Sequence, residues 1–275
     1  MSEGPSQKEI RAFQLCVRKH FRVYGRVFPW RKTRDPYHIL VSEMMLQQTQ
    51  TVRVVQKYTA FIQRFPTVES LAGASLLEVF SLWQGLGYNR RARMLRDSAR
   101  IVVSDYGGSI PRGDALLQTL PGVGPYTARA VASFAFGMRT CVIETNIRAV
   151  YLHHFFPHEH KVADTAIATL VMATLPQRNI RDWYNALMDY GAYIKATHPN
   201  PGRRSKHHAT QSRFEGSVRQ VRGAIIRVLV REESCSLSDL HTHIGYDVKR
   251  VREALASLKK EGTIVVVSSL YRLAK

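Results

Sequence analysis

The sequence predicts a mainly α-helical protein with a small winged-helix-like domain at its C-terminal end. Apolar residues recur at spacings of three and four through most of the 275 residues, and the alternation typical of strands is absent before about residue 260. Beyond residue 217, three helical segments are followed by two short apolar runs, which is the order of elements in a winged helix. A chain of this length can bury a sizeable core and form two domains.

The segments before residue 197 are predicted helices separated by Pro and Gly. Ile10, Phe13, Val17 and Phe21 form the apolar face of an amphipathic helix over residues 6–24. Pro36 stands at the start of the next helix, since Pro is tolerated in the first helical turn. Later helices are predicted, in chain order, at 51–65, shortly after 67, at 76–83, from 89, from 126, and at 146–155, 163–175 and 180–194.

A tight loop with the sequence Leu-Pro-Gly-Val-Gly begins at Leu120 and leads directly into the helix at Tyr126. Gly122 and Gly124 permit backbone angles and close approaches that side chains would block. The loop therefore presents backbone N–H groups at a helix N-terminus, which is a seat for an anion such as a phosphate. The alternative interpretation is an ordinary turn between two helices.

Two carboxylates stand in apolar parts of the sequence. Glu43 lies within the mostly apolar run 41–46, which favours the protonated form of an acid. Glu144 follows the run 141–143 and precedes Asn146, as expected for a buried acid at a helix start, where the helix dipole favours the ionised form. Such a pair can protonate a leaving base and stabilise a cationic sugar, as N-glycosidic bond cleavage requires. The alternative is that each acid is a satisfied buried group or a helix cap.

The balance of charges indicates a polyanionic partner. Forty Lys and Arg against twenty-one Asp and Glu give a formal net charge of +19, which points first to nucleic acid. The segment 195–214 holds five of these cations and three His but no acid. We expect four of its cations to contact phosphates, namely Arg203, Arg204, Lys206 and Arg213, and the alternative is a solvated linker.

The spacing of the cysteines and the hydropathy of the chain indicate the cellular compartment of the protein. The three cysteines, at positions 16, 141 and 235, are too scattered for a disulfide framework or a metal cluster. The N-terminal residues include no apolar signal region, and no apolar run approaches membrane-spanning length. We therefore expect a soluble intracellular protein, cytoplasmic and associated with the nucleoid, that acts as a monomer.

The predicted domains are a catalytic core at 1–194, a basic linker or DNA-contacting loop at 195–216, and the winged-helix-like domain at 217–275. The third helix of that last domain carries Lys249, Arg250 and Arg252. Because the corresponding helix of a winged helix commonly enters a major groove, we expect it to add contacts to DNA. The alternative is a small packing or protein-contact domain.

Four blocks of the sequence resemble the adenine DNA glycosylases (MutY family) of the helix-hairpin-helix DNA glycosylase superfamily. The blocks read PWR at 29–31, VSEMMLQQT at 41–49, GLGY at 85–88 and LPGVGPYTA at 120–128. The resemblance covers residues 8–194, or about two thirds of the chain. It implies a two-lobed helix-hairpin-helix glycosylase fold for the catalytic core.

The resemblance also implies catalytic roles. Glu43 matches the acid that protonates adenine. Glu144 takes the place of the family's catalytic Asp, with Asn146 beside it. Tyr126 lies at the sugar, where related lyases carry a Lys nucleophile, so base removal without strand cleavage is expected.

Further residues are implied to contact DNA and the base. Trp30, Arg31 and Asp189 are expected to line the base pocket. Gln48 and Tyr88, which we call the wedge residues, are expected to enter the duplex where the base leaves. An amide and an aromatic ring in the vacated stack would offset the few kcal/mol that unstacking costs.

The sequence departs from the family pattern in three places. The acid at 144 is Glu rather than Asp, so its carboxylate reaches one methylene further. The family's four-Cys iron–sulfur site is missing, with Lys195 at the position of its first Cys, so no cofactor is expected. The family's C-terminal domain that reads the opposite oxidised guanine is replaced by the winged-helix-like segment. Metal involvement is limited to an alkali cation held by hairpin carbonyls between Gln118 and Val123.

The predicted function is that of a monofunctional base-excision-repair glycosylase that removes adenine mispaired with guanine or 8-oxoguanine in double-stranded DNA. Removal of thymine, uracil or another deaminated base keeps the same chemistry and is the alternative. Glu43 favours adenine, because an acid at this position suits protonation of a purine. A non-catalytic DNA-binding protein on the same fold is a third hypothesis, against which the retention of both carboxylates speaks.

Overall fold

The computed structural model describes residues 4–208 and 214–274, and within these it contains fourteen α-helices and three strands. No helix in this part of the chain is both long and apolar enough to cross a membrane. The helices are α1 (Gln7–Tyr24), α2 (Pro36–Leu46), α3 (Thr51–Arg64), α4 (Val68–Ala72), α5 (Leu76–Trp83), α6 (Arg90–Tyr106), α7 (Asp114–Leu117), α8 (Pro125–Phe136), α9 (Thr145–Phe155), α10 (Asp164–Thr174), α11 (Ile180–Thr197), α12 (Val218–Glu232), α13 (Leu237–Ile244) and α14 (Val248–Lys260). The strands are β1 (Ser234–Cys235), β2 (Ile264–Val267) and β3 (Leu270–Leu273).

The mainly helical fold and the approximate bounds of the predicted helices are confirmed. Side-chain caps explain several of the starts: Ser6 and Glu9 form a capping box before α1, and Thr67 and Ser75 cap α4 and α5 in the same way. The helix α7 is an additional element, because four residues are too few to show an apolar periodicity.

The described residues pack into two compact units, and α2 begins in one and ends in the other. The first unit takes in residues 4–40, 112–119 and 123–208. Its core forms where α9 packs on α11 and α1 packs on α11. Phe13 of α1 meets two fully buried rings there, with its centroid 5.4 Å from that of Tyr151 and 5.9 Å from that of Trp183.

The second unit takes in residues 41–111, 120–122 and 214–274. In it α4 and α5 pack on α6, while α12 packs on both α5 and α14. Trp83 at the end of α5 is fully buried, and its indole Nε1 donates a hydrogen bond to the carbonyl of Gly87 at 3.1 Å. The domain boundaries at 194 and 216 stay a prediction.

The C-terminal part of the second unit contains α12 to α14 and an antiparallel sheet of strand order β1-β3-β2. The hairpin of β2 and β3 is confirmed, with Ile264 opposite Leu273. The expectation of no strand before residue 260 is wrong, because Cys235 of β1 pairs with Tyr271 of β3. A two-residue strand has no alternation to detect, and its partner is distant in sequence. The winged-helix assignment of this segment stays a prediction.

Candidate active site

Glu144 is the N-cap of α9 and lies in the first unit. Its Oε1 accepts hydrogen bonds from the backbone N–H groups of Asn146 at 2.7 Å and Ile147 at 2.8 Å. Its Oε2 accepts from the Asn146 Nδ2 at 3.2 Å and from the Thr145 Oγ1 at 3.0 Å. The predicted helix start is confirmed, but the side chain is half-buried rather than buried. Four donors therefore hold the Glu144 carboxylate at the N-terminus of α9.

Close packing of α11 against the start of α9 holds this cap in place. A Cβ at Gly191 of α11 would lie 2.2 Å from the backbone oxygen of Asn146 and 2.8 Å from its Cβ. Only glycine allows the two helices to approach so closely. The sequence did not predict the role of Gly191, because a single glycine inside a helical pattern does not show which element packs against it.

The loop after Leu120 turns sharply and leads into α8, as predicted. Gly122 has φ +78°, and a Cβ there would lie 2.7 Å from the Met44 Cε and 3.0 Å from the Met94 Cβ. Gly124 is the N-cap of α8 and has no side chain that could make a capping hydrogen bond. Tyr126 is half-buried in the first turn. The tight turn and the helix start after it are as predicted, and the anion seat stays a prediction.

Asp189 of α11 is 3% exposed and is held by two arginines. The Arg31 guanidinium donates to both carboxylate oxygens, at 2.8 and 2.9 Å. The backbone N–H and the Nε of Arg26 also donate to them, each at 2.8 Å. Burial alone would raise the pKa of Asp189, but the hydrogen bonds and charges of the two arginines lower it below its ordinary value.

This ion pair joins two of the residues predicted for the base pocket. The third, Trp30, is 8% exposed and stacks on Phe28 with ring centroids 5.1 Å apart. Its backbone oxygen accepts a hydrogen bond from the Arg181 guanidinium at 3.0 Å. Sequence reasoning missed Arg26 and Arg181, because nothing in their local sequence distinguishes them from the other thirty-eight cations of the chain.

Glu43 lies on α2 in the second unit and is 5% exposed. Its neighbours Val41, Met44 and Met45 are fully buried. The burial expected from its apolar neighbours in sequence is therefore present.

A buried arginine fixes the end of α2. Arg91 of α6 is 8% exposed, and its Nη1 donates to the backbone oxygens of Met44 at 2.7 Å and Met45 at 2.9 Å. Its Nη2 reaches the Thr49 Oγ1 and the Gly87 carbonyl. Burial lowers the pKa of Arg91 to about 10, so the group keeps its charge near neutral pH. Arg91 therefore ties the loop after α2 to the loop after α5.

The wedge residues lie on these two loops and have left-handed backbones. Gln48 has φ +54° and Tyr88 has φ +47°. The flanking glycines are also left-handed, with φ +89° at Gly85 and +71° at Gly87. Left-handed backbone in a non-glycine residue costs about 1 kcal/mol or more and persists only where surrounding structure imposes it. Tyr88 is half-buried, and Arg219 of α12 packs on its ring.

The basic segment after α11 is anchored by one of its own arginines. The Arg204 Nη2 donates to the Leu152 carbonyl at 2.7 Å, and its Nη1 donates to the Pro157 carbonyl at 2.5 Å. A backbone bridge between Val162 and Ser205 holds the same segment. Arg204 is thus occupied with carbonyl groups at the end of α9, whereas Arg203 and Lys206 are exposed. Arg213 lies outside the described residues.

No group of three or more His, Cys, Asp or Glu in the described ranges is arranged to hold a metal ion. Cys16 is exposed, Cys141 is half-buried and Cys235 is buried, and each is a free thiol. Fe–S clusters in proteins are held mainly by cysteine thiolates, and the residues around Lys195 include none. The residues present at that position therefore do not fit such a cluster.

The family model described as HhH-GPD superfamily base excision DNA repair protein matches residues 41–180. The adenine DNA glycosylase of Mycolicibacterium smegmatis is 37% identical over 221 residues, which is 74% of this chain and 75% of that protein. The adenine DNA glycosylase of Homo sapiens is 45% identical over 151 residues, which is 52% of this chain but only 28% of that protein. The chain thus spans 75% of the length of the first relative but only 28% of the length of the second.

A third relative is named for pyrimidine bases rather than for adenine. The thymine/uracil-DNA glycosylase of Methanothermobacter thermautotrophicus is 33% identical over 201 residues, covering 70% of this chain and 89% of that protein. Among solved structures, a thermostable thymine-DNA glycosylase matches with a TM-score of 0.62 at 30% identity, over 70% of this chain and 91% of that one. A non-covalent endonuclease III–DNA complex has a TM-score of 0.58 at 21% identity, covering 69% and 89%, and supports the fold alone.

Proposed function

Since the chain belongs to the HhH-GPD superfamily of base excision DNA repair proteins, and its matched relatives include adenine DNA glycosylases, we propose that it removes adenine mispaired with guanine or 8-oxoguanine from double-stranded DNA. The reaction is hydrolysis of the N-glycosidic bond. The observation that carries the proposal is the contrast between a buried acid, Glu43, and a carboxylate capped by four donors, Glu144.

In the proposed mechanism, Glu43 donates its proton to the adenine ring. Protonation makes the base a neutral leaving group, so the bond to C1′ breaks more readily. The proposal requires that Glu43, which is buried on α2, carries a proton before the reaction. The proton therefore moves from the Glu43 carboxyl to the base as the bond lengthens. A water molecule then adds to C1′ and gives up a proton, which completes the hydrolysis and restores the proton that Glu43 lost.

Glu144 has the complementary role of stabilising the sugar. Loss of the base leaves positive charge on C1′ and the ring oxygen, and a fixed carboxylate lowers the energy of that transition state. The cap bonds from Asn146 hold the Glu144 carboxylate in one orientation before the substrate binds. Preorganisation of this kind avoids a reorganisation cost during the reaction.

Tyr126 is proposed to lie beside the same sugar and to contribute shape rather than a nucleophile. We expect base removal without strand cleavage, because a phenol cannot form a Schiff base with the opened sugar as a Lys amine can. Incubation with a mismatched duplex and borohydride should trap no covalent protein–DNA adduct. A lyase with a Lys nucleophile, run in parallel, is the positive control. An adduct between this protein and DNA in good yield would contradict a purely hydrolytic reaction.

Binding of DNA is proposed to use the hairpin glycines, the wedge residues and exposed cations. Gly122 and Gly124 let a phosphate approach the N-terminus of α8. The carbonyls of Gln118 and Val123 remain candidates for an alkali cation, and no iron–sulfur cluster is expected. The paired Arg31 and Asp189, with Trp30, are proposed to line the base pocket.

Exposed cations of the basic segment should set part of the salt dependence of binding. Replacing both Arg203 and Lys206 with Ala should shallow the plot of log affinity against log salt concentration by about 0.9 per lost phosphate contact. Binding to one duplex at several salt concentrations gives the slope. The Arg18→Ala and Lys19→Ala pair on α1 is a control for the change in net charge. An unchanged slope in the Arg203 and Lys206 variant would favour a solvated linker.

The decisive assay for the function uses a panel of mismatched duplexes. Each duplex is incubated with the protein and then treated with hot alkali, which breaks the strand at an abasic site. Breaks at adenine opposite guanine or 8-oxoguanine are expected. Breaks at thymine or uracil would support the second candidate, which the 33% identical thymine/uracil-DNA glycosylase favours. No breaks in any duplex would indicate a non-catalytic DNA-binding protein.

A further inference from the structure

An ion pair between α9 and α10 lies one helical turn from Glu144. Arg148 follows Glu144 by four residues, and its backbone N–H donates to the Glu144 carbonyl at 2.8 Å. The Arg148 Nε and Nη2 donate to the two carboxylate oxygens of Asp164, the first residue of α10, at 2.8 and 2.7 Å. The exposed fraction is 16% for the Arg148 side chain and 33% for that of Asp164. The contact is therefore a bidentate pair with a defined geometry, partly shielded from water.

The spacing of Glu144 and Arg148 also allows a second pairing. Side chains four residues apart on a helix lie on the same face, and an acid that precedes a base at this spacing is the more favourable order. Hydrogen bonds to Asp164 raise the pKa of Arg148, burial opposes the increase, and the charge of Glu144 adds to it. The guanidinium is thus close enough to Glu144 to interact with its charge. Every hydrogen bond of the Arg148 side chain to the described residues nevertheless goes to Asp164.

A guanidinium released from Asp164 would oppose the proposed role of Glu144. Positive charge develops on the sugar during the reaction, and a carboxylate stabilises it best when no other cation neutralises that carboxylate. Arg148 in contact with Glu144 would cancel its charge. An unneutralised Arg148 beside the site would also repel the developing cation. The pair with Asp164 prevents both effects.

Asp164 is suited to hold a cation in this position. Hydrogen bonds from Arg148 lower the pKa of Asp164, burial opposes the decrease, and the charges of Arg148 and of nearby His207 add to it. Asp164 also lies in the first turn of α10, where the helix dipole favours a negative charge. The carboxylate therefore stays ionised near neutral pH and remains available to Arg148.

We propose that Asp164 is a positioning residue for the glycosylase reaction, which holds Arg148 on the α10 side and so keeps the charge of the Glu144 carboxylate available to the sugar. The proposal rests on the proposed function, because this charge matters only if Glu144 stabilises the sugar. It gives α10 a role in the site, although α10 contributes none of the predicted site residues.

The test removes each partner of the pair separately and then both together. Asp164→Asn removes the carboxylate charge, and Arg148→Met replaces the cation with an unbranched neutral side chain. Asp97→Asn is the matched control, because Asp97 accepts a hydrogen bond of 2.8 Å from Arg93 on α6 and its side chain is 25% exposed. Single-turnover excision of adenine with saturating protein is measured for each protein, and thermal unfolding establishes that each one folds.

We expect Asp164→Asn to lose about 10-fold in excision, which is within the range of coupling between charges in contact. Asp164→Glu, which keeps the charge, should be faster than Asp164→Asn, and Asp97→Asn should excise at the unsubstituted rate. Adding Arg148→Met to Asp164→Asn should restore the rate to within about 3-fold of the unsubstituted protein, because the interfering cation is then absent. A merely structural pair predicts no such rescue. A double variant as slow as Asp164→Asn, or an Asp164→Asn protein with the unsubstituted rate, would overturn the proposal.

A crystal structure of the Asp164→Asn protein provides a readout that does not depend on activity. The Arg148 guanidinium should then lie within hydrogen-bond distance, about 3 Å, of the Glu144 carboxylate. A guanidinium that stays against position 164 would overturn the proposal. If the unsubstituted protein produces no breaks in the alkali assay, the proposed function fails instead, and the position of Arg148 still reports whether Asp164 keeps it from Glu144.

Discussion

Replacing Glu43 with Gln should slow adenine release by about 10²- to 10⁴-fold, which is the usual contribution of general acid catalysis. The amide keeps the shape of the side chain but has no proton to donate. Because Glu43 is buried on α2 among fully buried neighbours, an isosteric change should leave packing and duplex binding nearly unaltered. Single-turnover excision measured with excess protein separates the chemical step from binding and product release.

The control for Glu43→Gln is Asp105→Asn, which makes the same chemical change at an exposed carboxylate of α6. Asp105→Asn should excise adenine at the unsubstituted rate. A Glu43→Gln protein that retains near-normal excision would show that another group protonates the base. A Glu43→Gln protein that no longer binds the duplex would indicate a structural role for the carboxyl group.

Sequence patterns predicted the elements whose signals are local. The loop at Gly122 and the N-cap at Glu144 were both readable, because a turn or a cap depends on residues within one helical turn. Gly85 and Gly87 both have left-handed backbones, which glycine adopts readily. The left-handed conformations of Gln48 and Tyr88 were not readable, since these residue types do not favour positive φ.

The contacts that could not be predicted from the sequence join residues that are distant along the chain. The contact of Gly191 with Asn146 and the hydrogen bonds of Arg204 to Leu152 and Pro157 join residues more than 40 positions apart. The two-residue strand β1 likewise has its partner in β3. The pairing of Arg26 with Asp189 joins the start and end of the first unit's sequence. A periodicity in one segment cannot specify which distant side chain meets another, so such contacts required the folded structure.

Removing the charge of Glu144 should be nearly as damaging as removing the acid. We expect Glu144→Gln to lose about 10²- to 10³-fold in excision, comparable to the loss of one preorganised electrostatic contact to a charged transition state. The Gln oxygen can still accept the N–H bonds that cap α9, but it carries no charge to offset the developing oxocarbenium ion. The same excision assay under single-turnover conditions measures the effect.

The Glu144→Asp variant tests whether the negative charge or the length of the side chain matters more. Asp is a favoured N-cap residue and keeps the negative charge, so α9 should begin at the same place. Its carboxylate is one methylene shorter, and we therefore expect measurable excision at a rate between those of the unsubstituted protein and Glu144→Gln. Thermal unfolding tests the cap itself, since loss of a cap typically costs about 1 kcal/mol.

If Glu144→Gln matched the unsubstituted protein in rate, a different group would have to stabilise the sugar. If both variants were equally inactive and equally destabilised, the defect would lie in the start of α9, where Asn146 depends on Glu144 for its position.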